Sequence, residues 1–208
     1  MPGYDALLID AGTGNLHSVH NALVTLGYNI LVTCRPDDLA QSARIILPGV
    51  GAFGSFMQGL RERGLVEPLK TAAQRGDPLF GICVGMQALF DASEEYGEHP
   101  GLGLLAGRVV HFPTFTNLKI PHTGWNQLWF ANGSLAFREL PSGTYAYFNH
   151  SFYCANHDPE DAAALTDYGI KFTSAVQREN LLGVQFHPEK SQRVGLKVLQ
   201  NFFFIGWV

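Results

Sequence analysis

A cysteine set between glycines, Gly81-Ile82-Cys83-Val84-Gly85, is the arrangement in this chain best suited to nucleophilic chemistry. Pro78 to Ile82 (PLFGI) reads as a short buried strand, and Gln87 to Phe90 (QALF) continues as helix after Val84, Gly85 and Met86. Cys83 therefore falls on a strand-to-helix turn. Glycines on either side allow a tight turn beneath close neighbours and leave the side chain presented at its tip. A free cysteine ionises near pH ~8.5, and the unpaired N–H groups of a helix N-terminus favour its thiolate. Cys34 and Cys154 lack such a setting and read as small core hydrophobes.

A nucleophile needs a base, and eight histidines are available. His187 differs from the rest by following the apolar strand LLGVQF at its carboxyl end, the same sheet edge that should carry Cys83. Glu189 comes next but one, in HPE, with Pro188 stiffening the backbone between them. A carboxylate there could accept from the imidazole, select its tautomer and steady its cation. Cys83, His187 and Glu189 thus read as nucleophile, base and orienter. An oxyanion hole is the remaining requirement. The glycines of PGVG, Pro48 to Gly51, let a backbone N–H turn toward substrate beside the N–H of Val84, and each such donor typically lowers the barrier by about 3 kcal/mol.

These residues need a scaffold that brings distant segments to one edge. Ala6 to Asp10, Tyr28 to Thr33, Arg44 to Leu47 and the elbow strand alternate with helical stretches at Leu16 to Leu26, Ser55 to Arg63 and Val66 to Gln74. That alternation predicts a mostly parallel central sheet flanked by helices, flavodoxin-like, whose ligands bind beyond the carboxyl ends of the strands. After about Gly101 the pattern becomes β-rich, with short strands at Arg108 to Phe112, Gln127 to Phe130, Thr144 to Phe148, Phe152 to Ala155, Lys171 to Gln177 and Leu182 to Phe186. A closing helix over Gln192 to Phe204 can pack Val194, Val198, Leu199, Phe202 and Phe203 on the sheet. The aromatic end, Phe202 to Phe204 and Trp207, reads as core packing rather than a membrane anchor.

The chain has 208 residues, 46% of them hydrophobic and 15% charged, which suits one α/β domain over residues 1–208. A net charge of −4 argues against nucleic-acid binding, and no apolar run approaches a membrane span. Three widely spaced cysteines favour a reducing, cytoplasmic setting. Gly12-Thr13-Gly14 begins like a dinucleotide loop, but His17 stands where the third glycine would fall. His17 and His20 have no companion ligands, so no metal is expected there, and His99, His111 and His157 are given no role.

The elbow and HPE together resemble the class I, triad-type glutamine amidotransferases. IDAGTGNLHSV (Ile9 to Val19), LPGVGAFG (Leu47 to Gly54), GICVGMQ (Gly81 to Gln87), IPHTGWNQL (Ile120 to Leu128), YFNHSFY (Tyr147 to Tyr153) and GVQFHPEKSQ (Gly183 to Gln192) extend the likeness over nearly the whole chain. Met86 before Gln87, the PH-x-GWN segment and Lys190-Ser191 are similar to the glutaminase subunits of imidazole glycerol phosphate synthases, of histidine biosynthesis.

The resemblance implies that L-glutamine is cleaved to L-glutamate and ammonia, and that the ammonia passes to a (β/α)8-barrel cyclase subunit in a heterodimer. It implies no cofactor. By position, Gly49, Gln87, His150, Ser151 and Phe152 would hold the substrate, Val50 and Val84 would donate N–H groups to the oxyanion, and Asn15, Trp125 and Lys190 would look toward the partner. Three positions depart from the family pattern. Ala11 stands for a usual tyrosine and Thr123 for an apolar residue, both expected near the partner-facing side, and Phe152 stands for a tyrosine near the substrate. A paralogous subunit serving another synthase, and a stand-alone cysteine hydrolase on the same fold, are the alternatives.

Overall fold

A computed structural model describes residues 3–41, 43–114, 118–131, 133–156 and 158–206. Trp207 and His157 lie outside them. The first half is built from β1 (Ala6–Ile9), α1 (Leu16–Thr25), β2 (Ile30–Thr33), β3 (Arg44–Gly49), α2 (Phe53–Glu62), α3 (Val66–Gln74), β4 (Leu79–Cys83) and α4 (Val84–Gln87). The second half contains β5 (Phe90–Ser93), β6 (His99–Pro100), β7 (Leu105–His111), β8 (His122–Phe130), β9 (Thr144–His150), β10 (Phe152–Asn156), β11 (Ala162–Asp167), β12 (Lys171–Arg178), β13 (Leu181–Val184) and α5 (Gln192–Phe204).

One sheet joins these strands in the order β2-β1-β3-β4-β13-β12-β10-β7-β5-β6, with β11, β8 and β9 branching from β12. From β2 to β13 every pairing is parallel, and beyond β13 the main path turns antiparallel apart from β5 beside β7. The parallel strands β1, β4 and β13 are buried at every residue. Their unbroken apolar runs follow from helices covering both faces. The chain runs outward from β1 to β2 and returns to β3, so a crevice opens at the carboxyl ends of β1 and β3.

The structure departs from the sequence reading in several places. The helix after Cys83 is a single turn, because the Leu102 and Leu104 amides donate to the carbonyls of Ala88 and Leu89, and Phe90 enters a strand beside Leu105. Tertiary pairing overrides the helical preference of QALF. Strands β5, β6 and β11 are additional, and β8 begins at His122. The helix expected from Ser55 begins at Phe53. Cys34 is exposed just beyond β2, where Arg35 N–H donates to the Thr33 hydroxyl and turns the chain outward, whereas Cys154 is buried. At the C-terminal end Phe202 packs against Phe80, Phe203 stacks on Tyr28, and Phe204 is 70% exposed on the outer side of the helix. Ala11 is wholly buried and lies beneath Gly59 of α2, while Thr123 is exposed and donates to Asn149. No described helix is long and apolar enough to cross a membrane.

Candidate active site

The turn at Cys83 forces the cysteine into the left-handed region, at φ 55° and ψ −110°. A non-glycine residue held there marks strain that the surroundings must impose. Those surroundings are glycines at van der Waals limits. A Cβ on Gly85 would stand 1.7 Å from the Leu47 carbonyl oxygen, and one on Gly81 would stand 2.6 Å from the Gly85 oxygen. A Cβ on Gly49 would meet the Phe56 ring at 2.7 Å and the Gly85 nitrogen at 2.8 Å. Gly49 pairs in register with Cys83 across β3 and β4, so the elbow rides directly on β3.

His187 follows β13, the parallel neighbour of β4. Its backbone is tied at both ends, its N–H donating to Tyr147 O at 2.9 Å and its carbonyl accepting from the Ser191 hydroxyl at 2.7 Å. Imidazole Nδ1 lies 3.0 Å from Glu189 Oε1, and both side chains are buried. The bond leaves Nε2 for the sulfur. Burial alone would depress the imidazole, but its hydrogen bond and charge attraction with Cys83, and those with Glu189, outweigh it and push the pKa up to about 10. The imidazole is therefore held toward its protonated form beside the sulfur.

A cleft of about 320 Å³ opens over these groups, lined by Asn15, Val50, Val84, Gln87, His150, Ser151, Phe152 and Lys190 together with Cys83 and His187. Gly49 is buried beneath the rim, and Gly51 lines the cleft instead, with φ +86°. Asn15 caps α1 by accepting from Ser18 N–H. Trp125 is 47% exposed outside the lining and meets the Tyr147 ring edge-on, and the Lys190 ammonium lies 5.7 Å from that ring's centre. Lys190, Tyr147 and Trp125 thus form one strip from mouth to outer surface, while Asn15 shares only the cleft lining with Lys190.

Glu95, Asn149 and Gln185 were not foreseen from the sequence. Glu95 lines the cleft and accepts from Phe53 N–H at 2.7 Å, satisfying the uncapped start of α2. Nothing in its loop sequence marks it. Asn149 lines the cleft on β9. Gln185, wholly buried beside Cys83, did carry a signal: an amide inside an otherwise apolar run must have partners. Among the described residues no group of three His, Cys, Asp or Glu side chains is arranged to hold a metal ion.

A strained cysteine on a glycine elbow, facing a buried His-Glu pair at the edge of a parallel sheet, defines a class. The glutamine amidotransferase class-I family matches residues 7–205, and the chain belongs to it. Within that family it is similar to imidazole glycerol phosphate synthase subunit HisH. The Moorella thermoacetica protein is 49% identical over 195 residues, 94% of this chain and 92% of that protein. The Desulfitobacterium hafniense protein is 50% identical over the same shares, and that of Aquifex aeolicus 45% identical over 94% of each. The fold is also that of PurLQS from Thermotoga maritima, with a TM-score of 0.72 at 20% identity over 96% of this chain and 97% of that one. A further glutamine amidotransferase crystal structure aligns with a TM-score of 0.70 at 18% identity, covering 96% and 97%.

Proposed function

We propose that this chain is the cytoplasmic glutaminase subunit of an imidazole glycerol phosphate synthase, acting through Cys83, His187 and Glu189. The sulfur attacks the side-chain amide carbon of L-glutamine, and the C–S bond forms as the carbonyl oxygen takes up charge. Backbone N–H groups of Val50 and Val84 receive that charge. His187 gives its proton to the amide nitrogen, the C–N bond breaks, and ammonia leaves a thioester on Cys83. Water then attacks the thioester with His187 taking its proton, and L-glutamate departs with the sulfur restored. Glu189 keeps the imidazole oriented and stabilises its cation. Gln87, His150, Ser151 and Phe152 hold the amino-acid end, with Gly49 shaping the floor. Ammonia passes to a (β/α)8-barrel cyclase subunit docked in a heterodimer over Asn15, Lys190 and Trp125, and is used there to build imidazole glycerol phosphate.

The observation that carries this reading is the line of contacts from Glu189 through His187 to Cys83 at the floor of a cleft of amino-acid size. Near 50% identity to HisH subunits over 94% of the chain supports the pathway. The test is glutamate release from L-glutamine by the parent and by Cys83→Ser, each alone and with the barrel subunit and its nucleotide ligand. Cys83→Ser should lose about a thousandfold or more with its fold intact. Undiminished turnover without the thiol sinks the reading. Cleavage of peptide or γ-glutamyl bonds with no partner present would instead mark a stand-alone hydrolase, and activation only by a different synthase would move the chain to another pathway.

A further inference from the structure

Gln185 follows β13 and has no solvent exposure, in a place where a lone amide would be costly to bury. Its partners fix which way the amide points. Gln87 Nε2 lies 3.1 Å from the Phe152 carbonyl oxygen and 3.1 Å from Gln185 Oε1. A backbone carbonyl only accepts, so Gln87 must turn its nitrogen, not its oxygen, toward Phe152. Both Gln87 hydrogens are then engaged, and Gln185 must offer its oxygen to the second of them. The Gln185 nitrogen consequently faces the other way, where Cys83 Sγ lies at 3.7 Å, within reach of an N–H donor to sulfur.

We propose that Gln185 is a catalytic residue whose side-chain N–H donates to the Cys83 sulfur and favours its thiolate, aimed there by Gln87 and the Phe152 carbonyl. The sulfur is thus held between the His187 imidazole and a neutral amide. The other ionisable groups around it are His187 with Glu189 behind it, His150, Glu95 and Lys190 in the lining of the same cleft, and Cys154, whose thiol is pushed up by burial and by the charge on Cys83. None of these duplicates the amide, which carries no charge and so supports the thiolate at every pH. The catalytic consequence rests on the glutaminase reading, whereas the donor role can be read without any substrate.

The test uses the full chain in a Cys34→Ser background, which removes the exposed thiol, and follows alkylation of Cys83 by iodoacetamide against pH, with the modified peptide identified by mass. Gln185→Met keeps the length and loses the donor. It should move the alkylation profile to higher pH by about one unit and lower kcat for glutamine roughly tenfold with KM unchanged. A folded Gln185→Met protein with the parent's profile overturns the proposal. Should that variant not fold, the parent decides: its Gln185 side-chain amide proton must shift as Cys83 titrates and stay still in Cys83→Ala. An amide signal indifferent to Cys83 overturns the proposal equally. A shifted profile in a chain that never hydrolyses glutamine would keep the donor and discard the glutaminase reading, so the two fail separately.

Discussion

Gly85 shows most directly what a single residue does here. Its missing Cβ lets the elbow settle onto β3, where an added carbon would lie 1.7 Å from the Leu47 oxygen and 2.8 Å from its carbon. Both neighbours are backbone within the parallel sheet and have nowhere to go. Gly51 presents the opposite case, since a Cβ there meets nothing within 4 Å and only its φ of +86° resists substitution. Gly85→Ala should therefore cost about 3 kcal/mol or more, as overpacking of a rigid site does, and Gly51→Ala about 1 kcal/mol from left-handed strain. Urea unfolding of both variants beside the parent measures the contrast. Equal losses would contradict the close-packing account. The sequence announced these glycines as turn formers, and the left-handed Cys83 agrees with that. It did not announce that Leu47 is what Gly85 must clear, because the pairing of β3 with β4 is a fact of the sheet and not of either segment.

At the scale of elements, the hairpin of β8 and β9 carries a one-way hydrogen-bond chain behind the cleft. Asn126 Oδ1 accepts from Gln127 N–H at 2.8 Å, so its nitrogen faces His122 Nε2 at 3.2 Å. His122 must then keep its proton on Nδ1 and donate to His150 Nε2 at 3.0 Å, and His150 donates from Nδ1 to the Phe152 carbonyl at 2.8 Å. Both rings are neutral. Burial pushes His122 down to about 4, packed between Phe148 and Tyr168. Burial likewise pushes His150 down to about 3, against the opposing pull of its bond to Phe152. An unfolded histidine takes its proton near pH ~6.5, so between that value and the folded ones the unfolded chain binds more protons. The stability these neutral rings bring is complete above about pH 6.5 and is lost as pH falls toward 4 and 3. Each ring adds up to about 1.4 kcal/mol per pH unit to that slope. Urea unfolding at pH 7, 6, 5 and 4.5 should show a shallower fall for His122→Asn than for the parent, and identical slopes would refute the assignment. The sequence pattern starts β8 only at Gln127, because the polar His-Thr-Gly-Trp-Asn segment, with Gly124 at φ +128°, lacks the alternation of a half-buried strand. Its pairing with β9 from His122 to Leu128 supplies what local pattern could not. The parallel strands were legible for the converse reason, since burial on both faces makes them apolar throughout.

On the scale of the whole molecule, β1, β3, β4 and β13 end at one edge, and each delivers the residues at or just beyond its carboxyl end: the Asn15 cap, the PGVG rim, Cys83, and the Gln185-to-Glu189 run. Convergence of this kind comes from the parallel arrangement, which sends every carboxyl end the same way. Asn15 and Lys190 stand at the mouth of the cleft, and the Lys190, Tyr147 and Trp125 side chains continue outward onto an exposed aromatic surface. An exposed tryptophan in such a strip suits a protein partner that covers the mouth. The rim that would supply the Val50 N–H runs from Gly49 to Gly51, and the Gly49–Val50 peptide that carries this N–H turns about ψ of Gly49, which has no side chain to restrict it, so a docked partner can set the donor's direction. We expect the lone chain to release glutamate slowly, and the barrel subunit with its nucleotide ligand to accelerate it at least tenfold, about 1.4 kcal/mol of barrier. Trp125→Ala should keep the lone-chain rate and lose most of the acceleration, because the ring stands outside the cleft, where a docked partner would cover it. Glutamate release titrated with barrel subunit gives both numbers, and a lone chain already as fast as the complex would show that the rim needs no partner to form.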